Sequence, residues 1–418
     1  MTINVPIKCD TCGTNLLLKI QCDDSLNHYV FHLHIYCKEC GDEFDCTYSK
    51  MHNILPLKYR GAKESYAKYS VSYSPQLPVP LSSYYCDSKL QFLSIFQSLS
   101  SIYTTQIAVR HAGRIQMILD NVYPYRNILN ELIPVMRKGN YNAFQKKMMK
   151  VLGIKHANRN ISSIAECRDV FAEFIEKIHA NFATDCYQTC IEKDVASLCQ
   201  TCIIEKSKAD LESFYQTMDP LIDFSKWTRD AEDFINKFLI ISDKYYPAIF
   251  FLSVGDFNVP HKSDTVIETI DVDEAHNYYK KSFDLLNGIL PFTVALCNWQ
   301  ITGDINVFPD YCGSMKGVND IEMFKNLTDG LKSDKLKDYT LIISYLADCY
   351  NTHVRNAIAH NNVDFYPDSQ VCEYHYNMND NRKHDDFRLI DVCYMTLINV
   401  LHILEMYLVI HKLKKRLS

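Results

Sequence analysis

Residues 392–410 read VCYMTLINVLHILEMYLVI, and whether this run crosses a membrane or fills a core decides the class of the whole chain. It is long enough to span a bilayer. Asn399, His402 and Glu405 interrupt it with polar groups that are costly in hydrocarbon. A buried helix of a water-soluble protein fits better, and the flanks agree. Residues 387–416, FRLIDVCYMTLINVLHILEMYLVIHKLKKR, form a helix ending in a basic KLKKR that complements the helix dipole.

Composition points the same way. Of 418 residues, 47% are apolar, 22% are charged and only 12 are glycine, which suits a globular protein built of helices rather than tight β-turns. A net charge of -6 argues against a general nucleic-acid coat protein and leaves room for a local basic patch. The 17 cysteines follow an N-terminus, MTINVPIKCDTCG, without the basic start and apolar core of a secretory signal. Free or metal-bound thiols in the cytoplasm are therefore expected.

Four segments are expected along the chain. Residues 1–60 carry period-2 stretches such as NHYVFHLHIYC, which indicate strands. Residues 61–87 include the proline- and serine-rich YSVSYSPQLPVPLSSYY and read as a linker. Helical spacing then runs through 88–270, a region without an assignable role. Residues 271–418 read as a helical bundle: a first helix or pair with Pro291 at a kink or junction, a long helix over DKLKDYTLIISYLADCYNTHVRNAIAHNN, a hairpin or loop, and the last helix. The fold class is mainly α with a small N-terminal β unit.

Two C-x-x-C-G knuckles, Cys9 and Cys12 in CDTCG and Cys37 and Cys40 in CKECG, are separated by 24 residues. Each pair presents two thiolates from one tight turn, and Gly13 and Gly41 relieve the backbone behind it. Four sulfurs close a tetrahedral zinc shell, and the strands between them resemble a zinc ribbon. Such a closed site leaves no position for reactive water, so the ion is structural and substitutes for the core that a 60-residue β unit cannot build. Nucleic-acid binding, protein binding and fold support all remain open for it. Cys22 and Cys46 are read as spectators, and His28, His32 and His34 as surface or packing residues. Cys186, Cys190, Cys199 and Cys202 have C-x3-C and C-x2-C spacing without following glycines, in helical sequence, and read as buried core thiols.

A second chemical constellation lies in VRNAIAHNN, residues 354–362. On one continuous helix, Asp348, Thr352, Arg355, Asn356 and His360 share a polar arc, while Ile343, Leu346, Val354, Ala357 and Ile358 lie opposite. Those polar types suit RNA cleavage. A histidine takes or gives a proton near neutral pH. An arginine stays charged and presents its fork to phosphate oxygens. Asn356 bonds the phosphate or orients the imidazole, and Asp348 holds the guanidinium.

Arg355, Asn356 and His360 in RNAIAHN resemble the R-N-x-x-x-H form of the HEPN superfamily. The upstream YYKKSFDLLNGILPFTVALCNWQITGD is similar to the first helices of HEPN domains in bacterial defence and toxin proteins. The resemblance covers roughly residues 270–418. It implies an all-α domain that pairs as a homodimer and acts as a metal-independent endoribonuclease, with Arg355 and His360 catalytic, Asn356 beside the arginine and Asp348 as the acidic residue. A toxin or antiviral defence effector acting on RNA is the expectation. Non-catalytic docking or nucleotide binding, with RNAIAH serving as a helix end, is the alternative.

Residues 132–165 hold no acidic side chain before Glu166 but include Lys146, Lys147, Lys150 and Arg159, with Tyr141 and Phe144 interleaved. They suit an RNA backbone through counterion release and stacking, or simply a solvated helix face.

Overall fold

The computed structural model describes residues 2–21, 30–49, 67–80, 85–87, 95, 99, 105–122, 125–153, 161–183, 195–254, 264–347, 349–376 and 383–418. The chain is mainly α-helical with a small N-terminal β part. It divides into two compact units, each drawn from three segments. The first holds Met1–Gln116, Ile241–Tyr279 and His353–Leu397, and the second holds Met117–Ile240, Lys280–Thr352 and Ile398–Ser418. Pairings distant in sequence hold the first unit together.

In the first unit, β1 (Thr2–Lys8) and β2 (Asn15–Gln21) form one knuckle hairpin, and β3 (Val30–Tyr36) and β4 (Glu43–Ser49) form the other. The stretch read as a linker is structured where it is described. There β5 (Tyr69–Tyr73) adds parallel to β2 and is wholly buried, and β7 (Tyr85–Asp87) pairs antiparallel to β5. Pro75 and Pro78 fall between strands, and Pro80 sits where a strand tolerates it. Among the described residues the two-residue β6 (Val79–Pro80) pairs with β8 (Thr265–Val266) alone, at an edge where proline's missing N–H is harmless. The segment after β8 links further parts of this unit. The Glu268 carbonyl accepts from the His34 N–H at 2.7 Å, and the Ile267 N–H donates to Gln370 Oε1 at 2.9 Å.

Residues 353–397 belong to this same unit. A short helix, Thr352–Ala359, leads into a three-stranded antiparallel sheet of order β11-β10-β9, made by β9 (Val363–Tyr366), β10 (Val371–His375) and β11 (His384–Arg388). Tyr36 at the end of β3 packs edge-on against Phe365 of β9, with ring centroids 5.4 Å apart.

Among the described residues of the second unit, the regular elements are all helical. Aromatic contacts mark its core: Phe214 stacks on Trp299 at 5.0 Å, and Phe224 meets Phe292 edge-on at 5.1 Å. Glu405 is buried here and fully engaged, with Tyr345 Oη donating to it at 3.1 Å, His402 Nδ1 at 3.2 Å and His179 Nε2 at 3.3 Å. Burial alone would push its carboxyl up, but the hydrogen bonds and charge of His179 and His402 bring it down to about 2. Glu232, also buried, is held by Arg168 at 2.7 Å and Arg137 at 3.5 Å.

Among the described residues one helix, Leu389–Leu417, is long and apolar enough to cross a membrane, and its most apolar window is almost entirely buried inside the protein. The polar residues that interrupt it have partners within the protein: Asn399 donates to Ser282 Oγ at 3.1 Å, and His402 and Glu405 belong to the network above.

Of the one or two helices expected around Pro291, the structure has one, Val272–Thr302, with the proline inside it, where one backbone bond is given up. The single long helix expected over 334–362 is three pieces, ending Asp329–Leu336, then Thr340–Leu346, then Thr352–Ala359. Tyr350, in the second gap, stacks on Phe283 at 4.5 Å and donates to Asn287 Oδ1 at 2.8 Å. That anchoring takes the chain out of helical register, so the wheel running from Asp348 to His360 does not apply.

Candidate functional site

The two knuckles have the same backbone geometry. The Gly13 N–H donates to the Cys9 carbonyl at 2.9 Å and the Gly41 N–H to the Cys37 carbonyl at 2.7 Å, with both glycines left-handed at φ +73° and +72°. A side chain with a Cβ is disfavoured there, which is why glycine follows each pair. The second bond also repeats, from the Cys9 N–H to the Thr14 carbonyl and from the Cys37 N–H to the Asp42 carbonyl, both at 2.8 Å.

The turns bring Cys9, Cys12, Cys37 and Cys40 into one cluster that can hold a metal ion. Cys9 Sγ lies 3.6 Å from Cys40 Sγ, and Cys12 Sγ lies 3.6 Å from Cys37 Sγ. A tetrahedral shell with sulfur bonds of about 2.3 Å has edges of about 3.8 Å, so the sulfurs stand close to ligand positions. Burial raises the Cys9 thiol, whereas hydrogen bonds from the Thr14 side chain and backbone draw Cys12 down to about 6.

Supporting residues escaped the sequence reading. Thr11 Oγ1 donates to Asp42 Oδ2 at 2.6 Å, tying one knuckle to the other. Tyr69 of β5 places its hydroxyl 3.4 Å from Cys37 Sγ and accepts the Lys38 N–H at 2.8 Å. Asp42 was findable as the polar residue after C-x-x-C-G. Tyr69 was not, because it sits in a stretch whose prolines suggested a linker.

The Arg/His motif occupies the short helix Thr352–Ala359 and the turn after it. Val354 and Ala357 are buried, Arg355 and Asn356 are half-buried, and His360 is exposed. Arg355 Nη1 donates to Asn356 Oδ1 at 3.1 Å. The helix closes with the Asn361 N–H on the Ile358 carbonyl at 3.2 Å and the Asn362 N–H on the Ala357 carbonyl at 2.8 Å, and Asn361 is left-handed at φ +51°. These are the two bonds of a Schellman cap with His360 as the C-cap residue. The cap uses backbone groups and Asn361, so it gives no reason for the side chains of Arg355 or His360. Among the described residues the His360 ring makes no hydrogen bond. Asp348 lies outside the described residues.

His353, one residue inside the same helix and seven before His360, was missed. Its Nδ1 is 2.9 Å from Asp385 Oδ2, and its ring stacks on Tyr376 at 3.9 Å. Positions i and i+7 fall on one stripe of a helix, so His353, Asn356 and His360 line up on its polar side.

The basic stretch divides. Lys146 and Lys150 are exposed on the helix Tyr141–Leu152, whereas Lys147 is ion-paired with Glu131. Arg159 lies outside the described residues, as do Cys186 and Cys190. Cys199 and Cys202 are buried, and His34, one of the three histidines read as surface or packing residues, is buried with Nδ1 3.1 Å from Glu43. No protein-family model matches the chain, and neither a curated protein nor a solved structure matches it.

Proposed function

We propose that the chain is an endoribonuclease of the HEPN type, carried beside a structural zinc ribbon. The observation that carries this reading is the helix Thr352–Ala359 and its cap. They present Arg355, steadied by Asn356 Oδ1, together with an exposed His360 whose ring has no hydrogen bond among the described residues. In the reaction the 2′-hydroxyl attacks the adjacent phosphorus and the bond to the 5′-oxygen breaks, leaving a 2′,3′-cyclic phosphate and a 5′-hydroxyl. His360 moves a proton, from the 2′-hydroxyl or to the leaving oxygen. Arg355 stabilises the extra charge on the phosphorane. This chemistry needs no metal.

Zinc fits the four cysteines because the sulfurs form a closed set of soft ligands at near-tetrahedral spacing. The ion's role in this reading is to fix β1–β4, against which β9 packs through Tyr36 and Phe365. A homodimer that brings two motifs into one cleft, action in the cytoplasm, and a role as a toxin or antiviral effector complete the proposal. Lys146 and Lys150 are its candidate RNA contacts.

The test is cleavage of total cellular RNA by purified protein in a mild chelator, beside His360→Ala. The expected result is metal-independent cleavage that leaves 2′,3′-cyclic ends and disappears in the variant. Cleavage that persists in folded His360→Ala would remove the motif from the reaction. Loss of cleavage on chelation, with the fold intact, would exclude this mechanism.

A further inference from the structure

The sheet β11-β10-β9 has one apolar face and one face lined with ionisable groups. Cys372 and Tyr374 of β10 are fully buried on the first. Alternation places Glu373 and His375 on the other, and the register sets Asp364 and Asp386 on either side of Glu373, with His384 opposite His375. Three carboxylates thus stand in one cross-strand row. Like charges directly opposite one another destabilise a sheet, so the row calls for a compensating cation.

Its histidines supply the second half of a ligand set. His375 Nε2 lies 3.0 Å from Asp364 Oδ2 and 3.9 Å from Glu373 Oε2. A four-coordinate ion with bonds of about 2.1 Å has ligand–ligand edges of about 3.4 Å, which these two distances bracket. On the far side of Glu373, His384 Nε2 is 3.3 Å from Asp386 Oδ1, and its Nδ1 is buried without a hydrogen bond among the described residues. Glu373 is common to both His/carboxylate groups.

We propose that this face is a second metal site, in which Asp364, Glu373 and His375 bind a divalent ion of the zinc class. His384 and Asp386 complete its surroundings. Imidazole beside carboxylate favours Zn2+, Co2+ or Ni2+ over Mg2+ or Ca2+, which prefer oxygen alone. Three protein ligands leave one position open to water, unlike the closed cysteine shell. The site shares no ligand with the Arg/His motif, so its fate and that of the nuclease reading are separable.

The probe is Co2+ bound to the full chain, read by metal analysis after gel filtration and by absorption spectra. Asp364 is largely exposed, so Asp364→Asn tests the site without disturbing a core. Glu373→Gln removes the shared ligand and relieves the carboxylate row, so the metal-free variant should melt no lower than the parent. Each variant is expected to lose one equivalent of cobalt and the weak visible bands of a nitrogen/oxygen site, while the intense thiolate bands of the cysteine site stay unchanged. Equal cobalt content in parent and both variants would overturn the proposal. So would a parent spectrum with thiolate bands alone.

Discussion

Tyr36, one residue before the first cysteine of the second knuckle, meets Phe365 edge-on at 5.4 Å, five residues after His360. The contact joins two regions that the sequence places more than 300 residues apart. It makes the cysteine cluster part of the same packed unit as the Arg/His helix, so metal loss should be felt at β9. Chelation, or Cys37→Ser, is expected to speed amide exchange in β1–β5 and also in Val363–Tyr366, measured by hydrogen–deuterium exchange. Unchanged protection at β9 would show the contact to be incidental.

Catalysis and capping can be separated on the same helix end. His360→Ala should lower cleavage by about 10²- to 10⁴-fold, the range for a general acid or base, without a matching loss of stability. Asn361 holds a left-handed conformation, so Asn361→Ala should cost about 1 kcal/mol of stability while Asn361→Gly is tolerated. If His360→Ala instead lowers the melting temperature as Asn361→Ala does and leaves cleavage intact, His360 is only a helix end.

Two buried histidines set an acid limit on the first unit. Burial pushes His111, whose Nε2 donates to the Gln76 carbonyl at 2.8 Å, down to about 4. Burial does the same to His276, 2.8 Å from the Tyr374 hydroxyl. Both rings bind fewer protons folded than unfolded between pH 6.5 and 4. Stability is therefore complete above about 6.5 and falls as pH drops towards 4, by up to roughly 3 kcal/mol for each ring. Denaturant melts at pH 7 and pH 5 check this, and His276→Phe should flatten part of the slope.

Glu405 acts lower on the pH scale, in the second unit. Its carboxyl is drawn down to about 2, so its contribution is present above the ordinary carboxylate value of about 4.5 and is lost as pH falls towards 2. Removing it strands His402 and His179 beside Tyr345. Glu405→Ala is expected to cost about 3–5 kcal/mol, the range for breaking one side of a buried charged network, as read by urea unfolding.

Lys146 and Lys150 should separate from Lys147 in RNA binding. Replacing the exposed pair by alanine is expected to weaken binding and to lower the salt dependence by roughly one to two counterions. Lys147→Ala, which breaks the pair with Glu131, should have the smaller effect on affinity. Equal effects from all three would make this face a general electrostatic surface.

Features encoded over a few neighbouring residues were legible before any fold was known. Helical spacing and scarce glycine gave the mainly α class, and period-2 patterning gave the strands around the knuckles. C-x-x-C-G spacing picked out all four clustered cysteines, because each knuckle is one tight turn. Polar residues in 392–410 marked a helix that the protein buries against its own side chains. Long-range packing accounts for the other features. Residues 69–73 became a buried parallel strand because β2 offered it an edge, which outweighed the prolines that follow. The helix before Arg355 broke because Tyr350 is held by Phe283 and Asn287, and no periodicity records a partner more than 60 residues away. The division into two three-part units, and the meeting of Tyr36 with Phe365, depend on pairings between distant segments, for which a local pattern carries no signal.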